Sequence, residues 1–302
     1  MIRMRRVPAT AALAVLVATL ATACSGPGGQ PAPAPASAGS CHAGVSGAEN
    51  WIMGSGELSA AQAAGASSVR YAVGSAHLFV LLLRGQTSRA GQEVADFRSY
   101  AELKKMIRQG KIAPGIRWVM YDNEQWSLTP ADEQADPVRY EQLFARLAHR
   151  QGYKVILAPA QDLVPGFDKN SFRAGQAVWP SYLSMGLAAA SARAADIYEI
   201  QAQPYEMSVY RSQHAYADFV AAAAAQARAA NPGIVIYAGL STQRVSSAAQ
   251  LLQDYETTRN LVDGYWLNIP RHDQPGPPGL ADQFLRTIPA SASASAATCA
   301  GA

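Results

Sequence analysis

Residues 152–162 read GYKVILAPAQD. A glycine opens a short apolar run, which breaks abruptly into polar side chains. The same plan recurs at 115–124 (GIRWVMYDNE), 233–243 (GIVIYAGLSTQ) and 264–270 (GYWLNIP), and without the glycine at 196–203 (DIYEIQAQ). Residues 77–85 (HLFVLLLRG) add a further apolar run. Runs of this length, bounded by turn residues, read as buried strands.

Helical stretches separate these runs. Residues 97–109 (FRSYAELKKMIRQ) carry apolar side chains at helical spacing and stop before Gly110. Asp136 and Pro137 open the next stretch, with Asp suited to the cap and Pro to the first turn, and Gly152 closes it. Further helices are expected over 181–195, 213–230 and 246–260. Strand and helix in strict alternation imply parallel strands joined by crossovers.

The expected fold is therefore α/β, a (β/α)8 TIM-type barrel with irregular first and last units. Six strands are evident. Residues 50–54 (NWIMG) and a segment within 164–179 are the candidates for the other two. The alternative is an open parallel α/β sheet. Such a sheet usually brings a glycine-rich phosphate loop, and neither GxGxxG nor GxxxxGK[ST] follows a strand here. No nucleotide cofactor is expected.

The ends of the chain have a different composition. Arg3, Arg5 and Arg6 precede an apolar run closed by small residues, the layout of a secretory signal peptide over 1–23. Residues 24–44 read as a Pro/Ala/Gly-rich tether, 45–289 as the barrel domain and 290–302 as a low-complexity tail. The stretch LATACSG (20–26) resembles a bacterial lipobox, although Ala21 stands where leucine is usual. That resemblance implies lipidation of Cys24 and export to the outer face of a membrane. Cys41 and Cys299 would remain, and an oxidising compartment would let them pair.

The whole chain holds 25 Lys and Arg against 22 Asp and Glu. Removing the three leader arginines balances the two sets, 22 against 22, which argues against nucleic acid as a partner. Five histidines show no paired spacing for a metal, and GxSxG is absent. A monomer without metal or cofactor is expected, touching a membrane through lipid alone.

In a parallel barrel the polar bursts gather at one mouth, where active sites lie. That mouth would collect Asp122, Asn123, Glu124, Gln161, Asp162, Gln201, Gln203, Tyr205, Glu206, Trp266 and Asn268, with Trp126 just beyond. Amides and carboxylates suit sugar hydroxyls, and Trp and Tyr suit sugar faces. Breaking a glycosidic bond needs a carboxyl to protonate the leaving oxygen and a second group to stabilise the cationic centre. Asp122 and Glu124, two apart, should share a face, and their mutual repulsion should raise one pKa.

The tripeptide Asp122-Asn123-Glu124 resembles the end of the chitinase-type glycosidase motif. Met120 and Arg117 stand where that motif has further acids. The resemblance implies Glu124 as proton donor, Asp122 as the substrate-orienting partner and Trp266 as the sugar platform. Asn123-Glu124 is equally similar to the Asn-Glu pair of the large retaining-glycosidase clan, which implies the same acid. Glu206 and Asp162 are alternative second carboxylates. Glu199, deeper on its strand, is expected to be a structural acid bonded to a neighbour such as Arg117. Two functions follow as expectations: an exported, lipid-anchored glycoside hydrolase acting on a polysaccharide or cell-wall glycan, or a non-catalytic carbohydrate-binding lipoprotein on a degenerate barrel.

Overall fold

The computed structural model describes residues 50–63, 78–82, 87–88, 90–269 and 278–288. Cys24, Cys41 and Cys299, with the leader, tether and tail, lie outside the described residues. Among the described residues no helix is long and apolar enough to cross a membrane.

Eight parallel strands close on themselves in chain order. They are β1 (Asn50–Gly54), β2 (Leu78–Leu82), β3 (Gln92–Phe97), β4 (Trp118–Tyr121), β5 (Lys154–Leu157), β6 (Ile197–Ile200), β7 (Val235–Ser241) and β8 (Gly264–Asn268). β1 pairs with both β2 and β8, so the sheet has no edge. The fold is the (β/α)8 barrel, and the open-sheet alternative is excluded.

β1 is the strand expected at 50–54. The other missing strand is not within 164–179, where a helix of residues 169–173 and its flanking loops lie. It is β3, whose last residue, Phe97, falls within the 97–109 stretch expected to be helical. That helix instead begins at Tyr100, where Ser99 caps it by accepting from the Glu102 amide at 3.0 Å. The helix expected over 181–195 is two pieces, Trp179–Ser184 and Leu187–Ala194, broken at Gly186. The other helix ends fall as their chemistry dictates. Asp136 accepts from the Arg139 amide, Pro137 fills the first turn, and Gly152 turns the chain out with φ of 81°.

Pleating and register fix which side chains enter the barrel. Ile52 lies level with Phe79 and Trp266, Val94 with Trp118, Met120 with Ile156, and Ile156 with Ile197. These residues, with Leu81, Ala158 and Tyr237, form an inner core separate from the helix-facing layers. Phe79 packs edge-on against Trp118, with centroids 4.9 Å apart. The lower barrel is a filled plug, and the C-terminal mouth above it is where a ligand has room.

Glu133 anchors the segment after β4. Its carboxylate accepts from the amides of Tyr100 and Ala101 and from the Tyr121 hydroxyl, at 2.7, 3.0 and 2.7 Å. The segment 125–135 is thus a short loop ending in a helix, Ala131–Ala135, bound to the start of its neighbour.

Ile156 is fully buried at the centre of the plug, whereas Val235 is 36% exposed. Ile156→Ala should lower the unfolding free energy by about 2–5 kcal/mol. Val235→Ala should change it by only about 0.5 kcal/mol. Urea denaturation followed by tryptophan fluorescence measures both.

Candidate active site

The C-terminal ends of β4 to β8 surround a cavity of about 330 Å³. Glu124 enters it from β4, Gln161 and Asp162 from β5, Gln201 and Gln203 from β6, Ser241 and Arg244 from β7, and Trp266 and Asn268 from β8. Its size suits a small ligand or a few sugar units. Segments separated by more than a hundred residues therefore meet at one mouth.

Glu124 is held from both sides through its backbone. Its amide faces the Thr129 hydroxyl at 3.4 Å, and the next amide, of Gln125, donates to Asp162 at 2.9 Å. Thr129 also accepts from Trp126 and donates to the Arg98 carbonyl, both at 2.8 Å. The Glu124 carboxyl makes no hydrogen bond or ion pair among the described residues. It is aimed at the cavity, with its pKa raised to about 7. Burial is the main cause and the charge of Asp162 is second, opposed by Arg98 and Arg244. Desolvation and Asp162, rather than repulsion from Asp122, thus account for most of the shift.

Asp122 faces inward as expected but lies beneath the cavity floor, 3% exposed. One oxygen accepts from Gln201 Nε2 at 2.7 Å and the other pairs with Arg98 at 2.9 Å. Gln201 also donates to the Ala158 carbonyl at 2.7 Å. Arg98 bonds Asp96 as well, so two buried carboxylates share one guanidinium. Burial raises the pKa of both acids; for Asp122, Glu124 and Asp96 add repulsion and Arg98 opposes it. Arg98 also lies 5.3 Å from the Trp126 ring centroid. Asp96 stands on β3 and Arg98 directly follows it, so neither is among the residues expected at the mouth.

The remaining expected residues divide by depth. Gln161, Asp162, Gln203, Trp266 and Asn268 line the cavity. Trp266 packs partly against the inner core, and its indole nitrogen is buried without a partner. Gln203 crosses the floor over Gly239, where a Cβ would stand 2.1 Å from its carboxamide carbon. Gln161 Oε1 is buried and unpartnered. Asn123 is buried away from the cavity, with neither amide atom bonded, and Trp126 is outside it, bonded to Thr129.

Two further residues do not reach the mouth. Past β6 the chain turns into a 3-10 helix, Gln203–Glu206. Tyr205 points behind the barrel and accepts from the amides of Val178 and Trp179 at 3.1 and 2.9 Å. Glu206 is fully buried and accepts from the Ser241 amide at 2.9 Å. It anchors the β7 end and is not placed to be the second acid at this cavity.

Glu199 is fully buried inside the barrel with neither oxygen bonded. It has no bond to Arg117, which is exposed at the opposite end of β4. Burial raises its pKa strongly, and Asp122 and Glu124 add to the shift. An ionised carboxylate without partners there would cost several kcal/mol, so the fold favours the neutral form of Glu199.

The rim also carries Lys169, Arg173 and Arg244, which lie outside the set of residues expected at the mouth. Among the described residues no cluster of His, Cys, Asp and Glu is arranged to hold a metal.

Fold and site define an eight-stranded α/β barrel whose amide-lined cavity, at the C-terminal ends of its strands, holds two carboxylates and three cations. No family model matches the chain, and no curated protein matches it. Among solved structures, muconate lactonizing enzyme from Pseudomonas putida is 12% identical, with a TM-score of 0.36. The match covers 72% of this chain and 52% of that one. A Mg-complexed dipeptide epimerase from Methylococcus capsulatus is 13% identical with a TM-score of 0.37, covering 74% and 56%. The chain thus spans just over half the length of these two. A Group II chitinase catalytic domain from Ostrinia furnacalis, in complex with penta-N-acetylchitooctaose, is 16% identical with a TM-score of 0.32, covering 64% and 58%. These likenesses carry nothing about the chemistry of the cavity.

The buried neutral acids give stability a defined pH dependence. Glu199 keeps its proton in the fold and loses it in the unfolded chain above its ordinary value of 4.5. The unfolded state then binds fewer protons, so stability falls as pH rises, by about 1.4 kcal/mol per pH unit per such group. Thermal melting from pH 5 to 8 should show a declining midpoint for the wild type. Glu199→Gln, which cannot ionise, should make the decline shallower.

Proposed function

We propose that this chain is a glycoside hydrolase in which Glu124 is the proton donor. The observation that carries the reading is the free, desolvated Glu124 carboxyl at the cavity, with a pKa near 7. An acid poised near neutrality gives up its proton as the glycosidic bond breaks and the leaving oxygen gains charge. Asp162 lines the same cavity and is the leading charge acting on Glu124. It is the carboxylate placed to stabilise the oxocarbenium-like centre, and water completes the hydrolysis. Asp122 acts from below, in contact with Arg98 and Gln201, holding the end of β4 in place. Gln161, Gln203 and Asn268 supply donors and acceptors for hydroxyl groups, and Trp266 supplies an aromatic surface.

The proposal includes export. The leader at 1–23 directs secretion, Cys24 carries lipid, and residues 25–44 tether the barrel. A polysaccharide or cell-wall glycan is then the accessible substrate. One observation favours a non-catalytic glycan-binding protein instead: the amides Gln161, Gln201, Gln203 and Asn268 outnumber the carboxylates Glu124 and Asp162 in the cavity.

Turnover on a panel of fluorogenic glycosides and peptidoglycan fragments tests the assignment. Glu124→Gln should lower kcat/KM by about 10²–10⁴ while leaving glycan binding intact. In the wild type, kcat/KM should fall as pH rises through about 7, as Glu124 loses its proton. Undiminished turnover by Glu124→Gln removes it from the role of acid, and binding without turnover by the wild type supports the binding protein.

A further inference from the structure

The cavity has more positive charge at its rim than a neutral sugar requires. Lys169 and Arg173 lie four apart on the helix Lys169–Arg173, and both line the cavity. Arg244 approaches it from the loop after β7. All three are exposed, and none pairs with a carboxylate among the described residues. Asp168, the acid beside Lys169, is occupied in capping the helix through the amides of Asn170 and Ser171. The acids facing these cations inside the cavity are Asp162 and Glu124. Glu124 is half neutral near pH 7, so the rim has excess positive charge when empty.

We propose that the ligand is a glycan bearing carboxylate groups, which Lys169, Arg173 and Arg244 receive while the amides hold the sugar hydroxyls. The substrate class rests on the hydrolase reading above, but the charge preference concerns binding and can be tested apart from cleavage. Two separate connections supply the cations, a helix after β5 and the loop after β7, which matches carboxylates repeated along a chain better than one isolated anion. An arginine can hold each carboxylate by two parallel hydrogen bonds, which a neutral hydroxymethyl group cannot accept. Excess positive charge in a recess also concentrates a polyanion near the site, an effect that salt screens. Two chemical sources supply such a carboxylate: a uronic acid ring and an acidic ether on an amino sugar.

The test is calorimetric binding of size-matched tetrasaccharides to the full-length Glu124→Gln protein. One is neutral (N-acetylglucosamine units), one alternates N-acetylglucosamine with N-acetylmuramic acid, and one is a tetragalacturonate. At least one acidic ligand should bind roughly tenfold tighter than the neutral one, and which of them does so identifies the source of the carboxylate. The advantage should shrink as salt rises from about 50 to 500 mM. Arg244→Ala and Lys169→Ala should reduce it, and Arg244→Lys, which keeps the charge and loses the paired hydrogen bonds, should keep only part of it. Equal affinity for neutral and acidic ligands overturns the inference, as does a preference unchanged in Arg244→Ala and Lys169→Ala. Cleavage of neutral and acidic glycans alike by the wild type would leave the hydrolase and remove the charge preference. Selective binding of the acidic ligand without wild-type cleavage would do the reverse.

Discussion

Closure of the parallel sheet is the constraint on which everything else depends. Once β1 pairs with β8, each strand has one face toward the barrel axis and one toward the helices. Alternation then decides what a side chain can do. Trp118 and Met120 fill the plug, while Asp122, next in the same row, emerges just above it. On β6, Ile197 is plug and Glu199 and Gln201 follow above. Hydrophobic filling at the bottom and polar crowding at the top are consecutive positions of the same rows. A one-residue slip of β4 would turn Asp122 toward the helices and bring Tyr121 inward.

Alternation also explains what was legible in the sequence and what was not. Strands with continuous apolar runs, buried on both faces, announced themselves, and the polar residues after them were placed at the mouth by rule. β3 reads QEVADF, with polar side chains at the start and near the end, and Val94 and Phe97 are its only buried apolar residues. It lacked the apolar signature, so Asp96 and Arg98 went unseen with it. Tyr205 and Glu206 illustrate a different limit. Extrapolating a period of two beyond Ile200 fails because the chain turns into a 3-10 helix, whose period is near three. Lys169 and Arg173 were illegible as site residues because they sit on a helix in a connection, where strand parity says nothing.

The acids form a gradient of hydration. Glu199 is deepest, without any partner, and burial sets its protonation. Asp96 and Asp122 lie higher, where Arg98 offsets part of the same cost. Glu124 lies at the cavity, still desolvated but reachable, with a pKa of about 7. Each acid influences the next: Glu124 and Asp122 both act on Glu199, and Glu124 acts on Asp122. The proton affinity of Glu124 in turn depends on its own burial and on Asp162, with smaller contributions from Arg98 and Asp96 beneath it.

This coupling gives Arg98 a role beyond structure. It is the cation shared by Asp96 and Asp122, its carbonyl receives the Thr129 hydroxyl, and its charge opposes the rise in the Glu124 pKa. One guanidinium nitrogen, Nη1, reaches both carboxylates. Without that cation, Asp96 and Asp122 would be neutral more of the time, and Glu124 would lose an attractive charge and some repulsive ones together. Burial is the first-ranked cause for all three acids, so the water-excluding fold sets the scale and Arg98 adjusts it. A barrel mouth can therefore present a carboxyl that keeps its proton near neutrality without a dedicated hydrogen-bond partner for it: the filled interior beneath supplies the desolvation, and the neighbouring strands supply the charge.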